Sequence, residues 1–192
     1  MAEIRLRWEW RTFGSSFGVA EERFAALTPT GMQESDELYL ISDSDTNIKV
    51  RFALLDMKVL VELNDAGLEQ WRPAIKAEFP MSDASIRAVF EAAGLKTPEL
   101  PRINYTLDEF LTEVAEPSGQ LRPVQVHKRR VRYVVGGCTS EVTDVTANGI
   151  PTRTIAIESE DADAVVAAVE AMGLSSYVNT HYGKGLAAVV GS

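Results

Sequence analysis

Residues 3–11 alternate without a break. Glu3, Arg5, Arg7, Glu9 and Arg11 fall on one face of an extended chain, and Ile4, Leu6, Trp8 and Trp10 on the other. Successive strand side chains point to opposite faces, so the pattern predicts a strand with both indoles buried and a charged reverse side. The same design recurs over residues 124–160. Gly136-Gly137 and Asn148-Gly149 mark two tight turns between alternating runs, because both central residues of such turns take positive φ. Two-residue turns fix a register: Val135 opposite Cys138, Arg132 opposite Glu141, Glu141 opposite Ala156, Thr143 opposite Thr154. One face then carries Lys128, Arg130, Arg132, Glu141, Thr143, Thr154, Ala156, Glu158 and Glu160. The other carries Val131, Tyr133, Val135, Cys138, Val142, Ile155 and Ile157, with Arg129, Asp144 and Arg153 among them. On these strands alone, a solvated face of cross-strand ion pairs explains the charges as well as a binding surface does.

The remaining pattern predicts a short helix over 17–27, a loop over 28–36 around Pro29 and Gly31, and a strand over 37–42. Residues 47–62 suit two strands turning near Ala53-Leu54, with Ile48, Val50, Phe52, Leu55, Met57, Val59 and Val61 on the apolar face. The simplest pairing sets Lys49 opposite Lys58 and Arg51 opposite Asp56, and an anion between the lysines would relieve their repulsion. Leu68, Trp71 and Ile75 give residues 65–79 helical spacing. A second helix over 82–95 has a cap at Ser82 or Asp83, and a third from Thr106 carries a capping box with Glu109. Residues 161–172 form an amphipathic helix ending at Gly173. In the tail, Tyr182 and Leu186 are expected to dock, while Gly183 and Gly185 keep the segment flexible or turned.

Strands cluster before and after a helical insert, and nearly every strand has one apolar and one charged face. The expected fold is α+β: a closed or nearly closed antiparallel β-barrel with a charged interior, with helices on its apolar outer surface. A length of 192 residues without a long linker suits a single domain over 1–192. The net charge of −9 argues against general nucleic-acid binding. No apolar run approaches the roughly 20 residues of a membrane-spanning helix. The charged N-terminus is unlike a signal peptide, so a cytoplasmic location is expected. One cysteine permits no internal disulfide, and Cys138 on an apolar strand face reads as a core residue.

The order of charged strands resembles the CYTH superfamily, the triphosphate tunnel metalloenzymes. The family opens on an ExExK strand. Here Arg7-Trp8-Glu9-Trp10-Arg11 matches it, with Arg7 in place of the first Glu and Arg11 in place of Lys. The basic strands match Lys49, Arg51 and Lys58, then Lys128 and Arg130 with Arg132 continuing the face. Glu141, preferred by register over Asp144, matches the later acidic strand, and Glu158-Ser159-Glu160 keeps an ExE pattern. The family's tail lysine is replaced in Thr180-His181-Tyr182, with Lys184 or His181 as substitutes.

The resemblance implies metal-dependent hydrolysis of inorganic triphosphate or polyphosphate ends. Arg7, Arg11, Lys49, Arg51, Lys58, Lys128, Arg130 and Arg132 would bind phosphate. Glu9, Glu141, Glu158 and Glu160 would hold Mg²⁺ or Mn²⁺, and Glu9, Arg11, Glu158 and Glu160 would be catalytic. The alternatives are a non-catalytic polyphosphate- or nucleotide-binding module, or organic triphosphate chemistry of the adenylyl cyclase or thiamine triphosphatase type. The expected partner is a small phosphate anion. A triphosphate carries about four negative charges, and arginine grips phosphate oxygens in pairs.

Overall fold

The computed structural model describes residues 5–191. Glu3 and Ile4, at the start of the first expected strand, lie outside them. The elements are β1 Trp8–Gly14, α1 Val19–Ala25, β2 Gly31–Ile41, β3 Thr46–Arg51, β4 Leu54–Leu63, β5 Glu69–Glu78, β6 Met81–Ser82, α2 Asp83–Ala92 and β7 Asn104–Tyr105. Then come α3 Leu107–Phe110, a π-helical turn Leu111–Ala115 and α4 Glu116–Ser118. The chain ends with β8 Arg122–Val135, β9 Cys138–Ala147, β10 Ile150–Ser159, α5 Ala162–Ala171 and α6 Tyr182–Val190.

Eight strands close into an antiparallel ring in the order β1-β10-β9-β8-β2-β3-β4-β5. The register expected for residues 124–160 is the observed one: Val135 pairs with Cys138, Arg132 with Glu141, Glu141 with Ala156 and Thr143 with Thr154. The outer face is apolar and helix-covered. Leu38, Leu40, Ile48, Val50, Leu55 and Met57 meet α2 and α3 through Ile86, Val89, Phe90 and Phe110. Trp10, Tyr133, Cys138, Ile155 and Ile157 meet α1 and α5 through Ala20, Phe24, Val165 and Val169. Both indoles therefore sit on the outer face, as their alternation predicts, and Cys138 is a buried core thiol.

Four expectations are corrected. Residues 65–79 are not a helix, because β5 occupies this stretch and closes the ring against β1 at Trp8 and Glu9. Pro73 would break a helix interior, and it sits instead at a strand irregularity opposite Lys58. The expected loop 28–36 is largely strand: β2 starts at Gly31 and pairs with β8 from Gly31–Arg132 to Ile41–Arg122. Its first half is polar on both faces, so hydrophobic alternation could not show it.

The β3–β4 hairpin turns on Phe52 and Ala53, with φ of 52° and 56°. That shifts the expected register. Lys49 lies opposite Asp56, Lys58 opposite Asn47 and Arg51 opposite Leu54, so the two lysines do not face each other. Gly183 and Gly185, expected to keep the tail flexible or turned, lie within helix α6. His181 caps α6, its Nδ1 accepting from the Lys184 N–H. Gly185 lets this helix lie against the Phe13 ring, which a Cβ at that position would overlap.

Helix α6 plugs one end of the barrel from inside. Tyr182 and Leu186 dock as expected, packing with Tyr39, Ile41, Val124, Val126, Val145 and Ala147. Part of the interior is thus apolar, and the charged lining occupies the rest.

Candidate phosphate-binding tunnel

Above the plug lies a layer of buried ion pairs. Lys128 Nζ donates to Glu37 Oε2 at 2.7 Å and to the Tyr39 hydroxyl at 2.6 Å. It also sits 4.1 Å from the Tyr182 ring centroid and 4.6 Å from that of Tyr39. Those two rings stack at 5.0 Å. Lys128 is only 1% exposed. Burial alone would raise the Glu37 carboxyl, but Lys128 and Lys49, aided by hydrogen bonds from Lys128 and Tyr39, hold it at about 2. Burial pulls the Lys128 ammonium down, and Glu37 opposes that pull. Two charged groups bonded this closely in a dry site act as one structural unit.

Arg11 is the second fixed cation. Its Nε donates to Glu9 at 2.8 Å, its Nη2 to Glu141 at 3.1 Å and its Nη1 to the Thr154 hydroxyl at 3.3 Å. The guanidinium lies 4.6 Å from the Tyr182 ring centroid. Its backbone is tied to the tail as well: Arg11 N–H donates to Asn179 Oδ1, and the Thr180 N–H donates to Arg11 O. Arg130 Nε lies 2.9 Å from the other Glu141 oxygen. Burial would raise the Glu141 carboxyl, yet Arg11 and Arg130 lower it.

Toward the open end the charges are more accessible. Arg7 Nη1 donates to Glu158 at 3.0 Å, and Arg5 Nη1 to Glu160 at 3.3 Å. A cavity of about 160 Å³ is lined by Arg5, Leu6, Arg7, Glu9, Lys58, Trp71, Pro73 and Glu158. Arg51 reaches Glu37 at 3.6 Å, and Arg132 Nη2 donates to Gln33 at 2.8 Å. Among the described residues, Lys49 and Lys58 form no ion pair. Burial lowers the Lys49 ammonium against the pull of Glu37 and Asp56. The buried hydroxyls of Thr143 and Tyr182 have no hydrogen-bond partner among the described residues. A larger hollow of about 570 Å³ lies outside the barrel wall against Trp10, Leu68, Val169 and Tyr177, and its lining also includes Glu69, Glu170 and Lys184.

The sequence-predicted residues divide accordingly. Lys128 and Arg11, expected as phosphate contacts, are walled in by protein partners. Arg7 and Lys58 line the accessible mouth cavity, Lys49, Arg51 and Arg130 are half-buried, and Arg132 is exposed. Glu141 faces the interior as register indicated, while Asp144 is outside with Arg153 at 2.8 Å. Lys184 does not replace a lumen cation: it pairs with Asp45 at 3.0 Å on the surface.

The sequence reading did not single out Glu37 or Glu69. Glu37 lies on β2 two residues before Tyr39 on the same face, a signal that needed the strand placed first. Glu69 is register partner of Glu9 across the ring closure. Burial, and then the Glu9 charge, raises its carboxyl to about 7.

The implied metal can be tested against these residues. Magnesium or manganese needs carboxylate oxygens that converge on one point. Among the described residues no three His, Cys, Asp or Glu side chains do so. Glu9 is turned to Arg11, Glu141 to Arg11 and Arg130, Glu158 to Arg7 and Glu160 to Arg5. The expected ligand set is therefore spread out and arginine-bound, and it does not fit a divalent ion as arranged.

Resemblance to solved structures lies in backbone shape. HpAC1 from Hippeastrum, described as a candidate adenylyl cyclase with a dominant triphosphatase activity, superposes with a TM-score of 0.53 at 15% identity, covering 94% of each chain. A conserved hypothetical protein from Pyrococcus furiosus superposes at 0.50 with 14% identity, covering 91% of this chain and 98% of the other. The chain shares the closed antiparallel barrel fold of these proteins. No family model and no curated protein matches the sequence. Likeness at such low identity fixes the architecture alone, and the chemistry rests on the side chains described above. No helix among the described residues is long and apolar enough to cross a membrane.

Proposed function

We propose that the barrel binds a linear triphosphate-type anion at its open end. Lys49 carries this reading. It is half-buried, shares the lumen face with Tyr39 and Asp56, and has no ion-pair partner among the described residues. A cation held partly out of water without a bonded counterion is a place where an anion restores the balance. Arg51, Lys58, Arg130 and Arg132 supply further donors around the same opening, and Arg7 stands at the edge of β1. Several cations at fixed spacing suit a chain of phosphates better than a single phosphate.

Turnover is the second reading. The fold shared with HpAC1, whose described activity is dominantly that of a triphosphatase, favours hydrolysis of a terminal phosphoanhydride. In that case the protein would act by positioning the phosphate chain and neutralising charge as it develops. Tripolyphosphate, long-chain polyphosphate, ATP and thiamine triphosphate would each be titrated calorimetrically and then incubated with Mg²⁺, Mn²⁺ or chelator while phosphate is measured. Binding of tripolyphosphate that is lost in Lys49→Met supports the first reading, and phosphate release adds the second. Heats indistinguishable from buffer for all four compounds would reject both.

A further inference from the structure

The four carboxylates implied as metal ligands and the arginines around them form a closed set of ion pairs. We propose that the tunnel mouth takes its ligand as the free polyanion rather than as a magnesium complex, with arginine guanidiniums filling the role of the cation. This rests on the triphosphate-binding reading above and specifies the ligand's form.

Arg11 is the first argument. It spends separate nitrogens on Glu9, Glu141 and Thr154, and its main chain is bonded to the tail at Asn179 and Thr180. It is 7% exposed and cannot swing into solvent without breaking that set. A divalent ion on Glu9 and Glu141 would face this fixed guanidinium with like charge in a poorly solvated site, where repulsion is strong.

Arg7 is the second. It sits beside the pair Glu9 and Glu158, which are direct register partners, and donates to Glu158 at 3.0 Å. Its head is half-exposed, so it can turn from the carboxylate to a phosphate oxygen in the same cavity. Arg5 and Lys58 line that cavity too. A phosphate chain stripped of metal presents its full charge to these groups. Magnesium chelation would cancel part of the charge they recognise.

Calorimetric titration of tripolyphosphate in chelator and in millimolar Mg²⁺ tests the proposal. Affinity in chelator is expected to equal or exceed that in Mg²⁺. Tightening by about tenfold or more on adding Mg²⁺ would overturn it. Absence of binding in both buffers would overturn the binding reading and the inference with it, an outcome distinct from metal-promoted binding. Mn²⁺ alone, followed by electron paramagnetic resonance, gives a second test. Wild-type protein is expected to leave Mn²⁺ free, whereas R7E, which adds a carboxylate beside Glu9 and Glu158, is expected to bind it. Mn²⁺ binding by wild type as tight as by R7E, or no gain in R7E with unchanged thermal unfolding, would refute the assignment of Arg7 to the cation's place.

Discussion

The two ends of one barrel use the same residue types for opposite purposes. At the plugged end Lys128, Glu37 and Tyr39 satisfy one another out of water, Arg11 is bonded to Glu9 and Glu141, and the Tyr182 ring lies against both cations. At the open end Arg7, Lys49, Arg51, Lys58, Arg130 and Arg132 lie nearer to solvent and keep donors to spare. Charge alone therefore does not mark a binding residue. Arg7, Arg51 and Arg130 also reach carboxylates, so what separates the ends is how completely aromatic and aliphatic side chains shut each cation from water.

The sharpest way to break this comparison is to remove one partner at the plugged end. Lys128→Met should cost about 3–5 kcal/mol in urea unfolding, because Glu37 is left buried with Arg51, at 3.6 Å, as its one remaining ion-pair partner among the described residues. Adding Glu37→Leu should recover most of the loss, since an apolar pair fills the space without unpaired charge. Wild-type stability should also fall as pH drops from the unfolded carboxylate range through about 2, where Glu37 finally takes up a proton. If Lys128→Met unfolds like wild type, the pair is not structural.

Next in size is the plug. Gly185→Ala should cost roughly 1–3 kcal/mol, because the added methyl overlaps the Phe13 ring and α6 must shift. Phe13→Ala in the same chain should relieve part of that overlap, read as non-additivity in a double-mutant cycle. Full additivity would argue that α6 is not seated on Phe13.

Smaller still is the effect of Glu69, the carboxyl between the ends. Its raised value means that the unfolded chain loses this proton first as pH rises. The stability it contributes is present below about 4.5 and lost as pH passes through about 7. Glu69→Gln should therefore be more stable than wild type at pH 8 by about 1–2 kcal/mol and nearly equal at pH 4. Thermal unfolding across that range checks it, and a constant difference at every pH would refute the mechanism.

How much of this was legible in the sequence follows the strength of local signals. Gly136-Gly137 and Asn148-Gly149 set the β8–β9–β10 register, so the placement of Arg130, Arg132, Glu141 and Glu158 came with it. Phe52-Ala53 forms a turn of the same kind without glycine or asparagine, and the neighbouring register was misread by two residues. The strand after Gly67 carries apolar residues at helical spacing, and only closure of the ring against β1 makes it a strand. The arginine partners of the expected metal ligands were equally hidden. Alternation places a residue on a face, but which carboxylate a long guanidinium reaches depends on strands brought together from distant parts of the chain. Glu37 and Glu69 went unremarked for the same reason, since each matters through Lys128 or Glu9 across the barrel.

The smallest stability effect belongs to the open end, and there the comparison can be sharpened most. Lys58 lines the mouth cavity and forms no ion pair among the described residues. Lys58→Met removes a solvated cation with no bonded partner, so stability should change by no more than about 0.5 kcal/mol. Tripolyphosphate affinity should nevertheless fall by about tenfold, the loss of one charge-assisted contact. The fall should shrink as salt rises, because screening weakens an exposed charge more than a buried one. Lys128→Met tested beside it should show the reverse: a large loss of stability and, where the variant remains folded, little change in affinity. A variant pair that behaves alike in both measurements would dissolve the division between a structural end and a binding end.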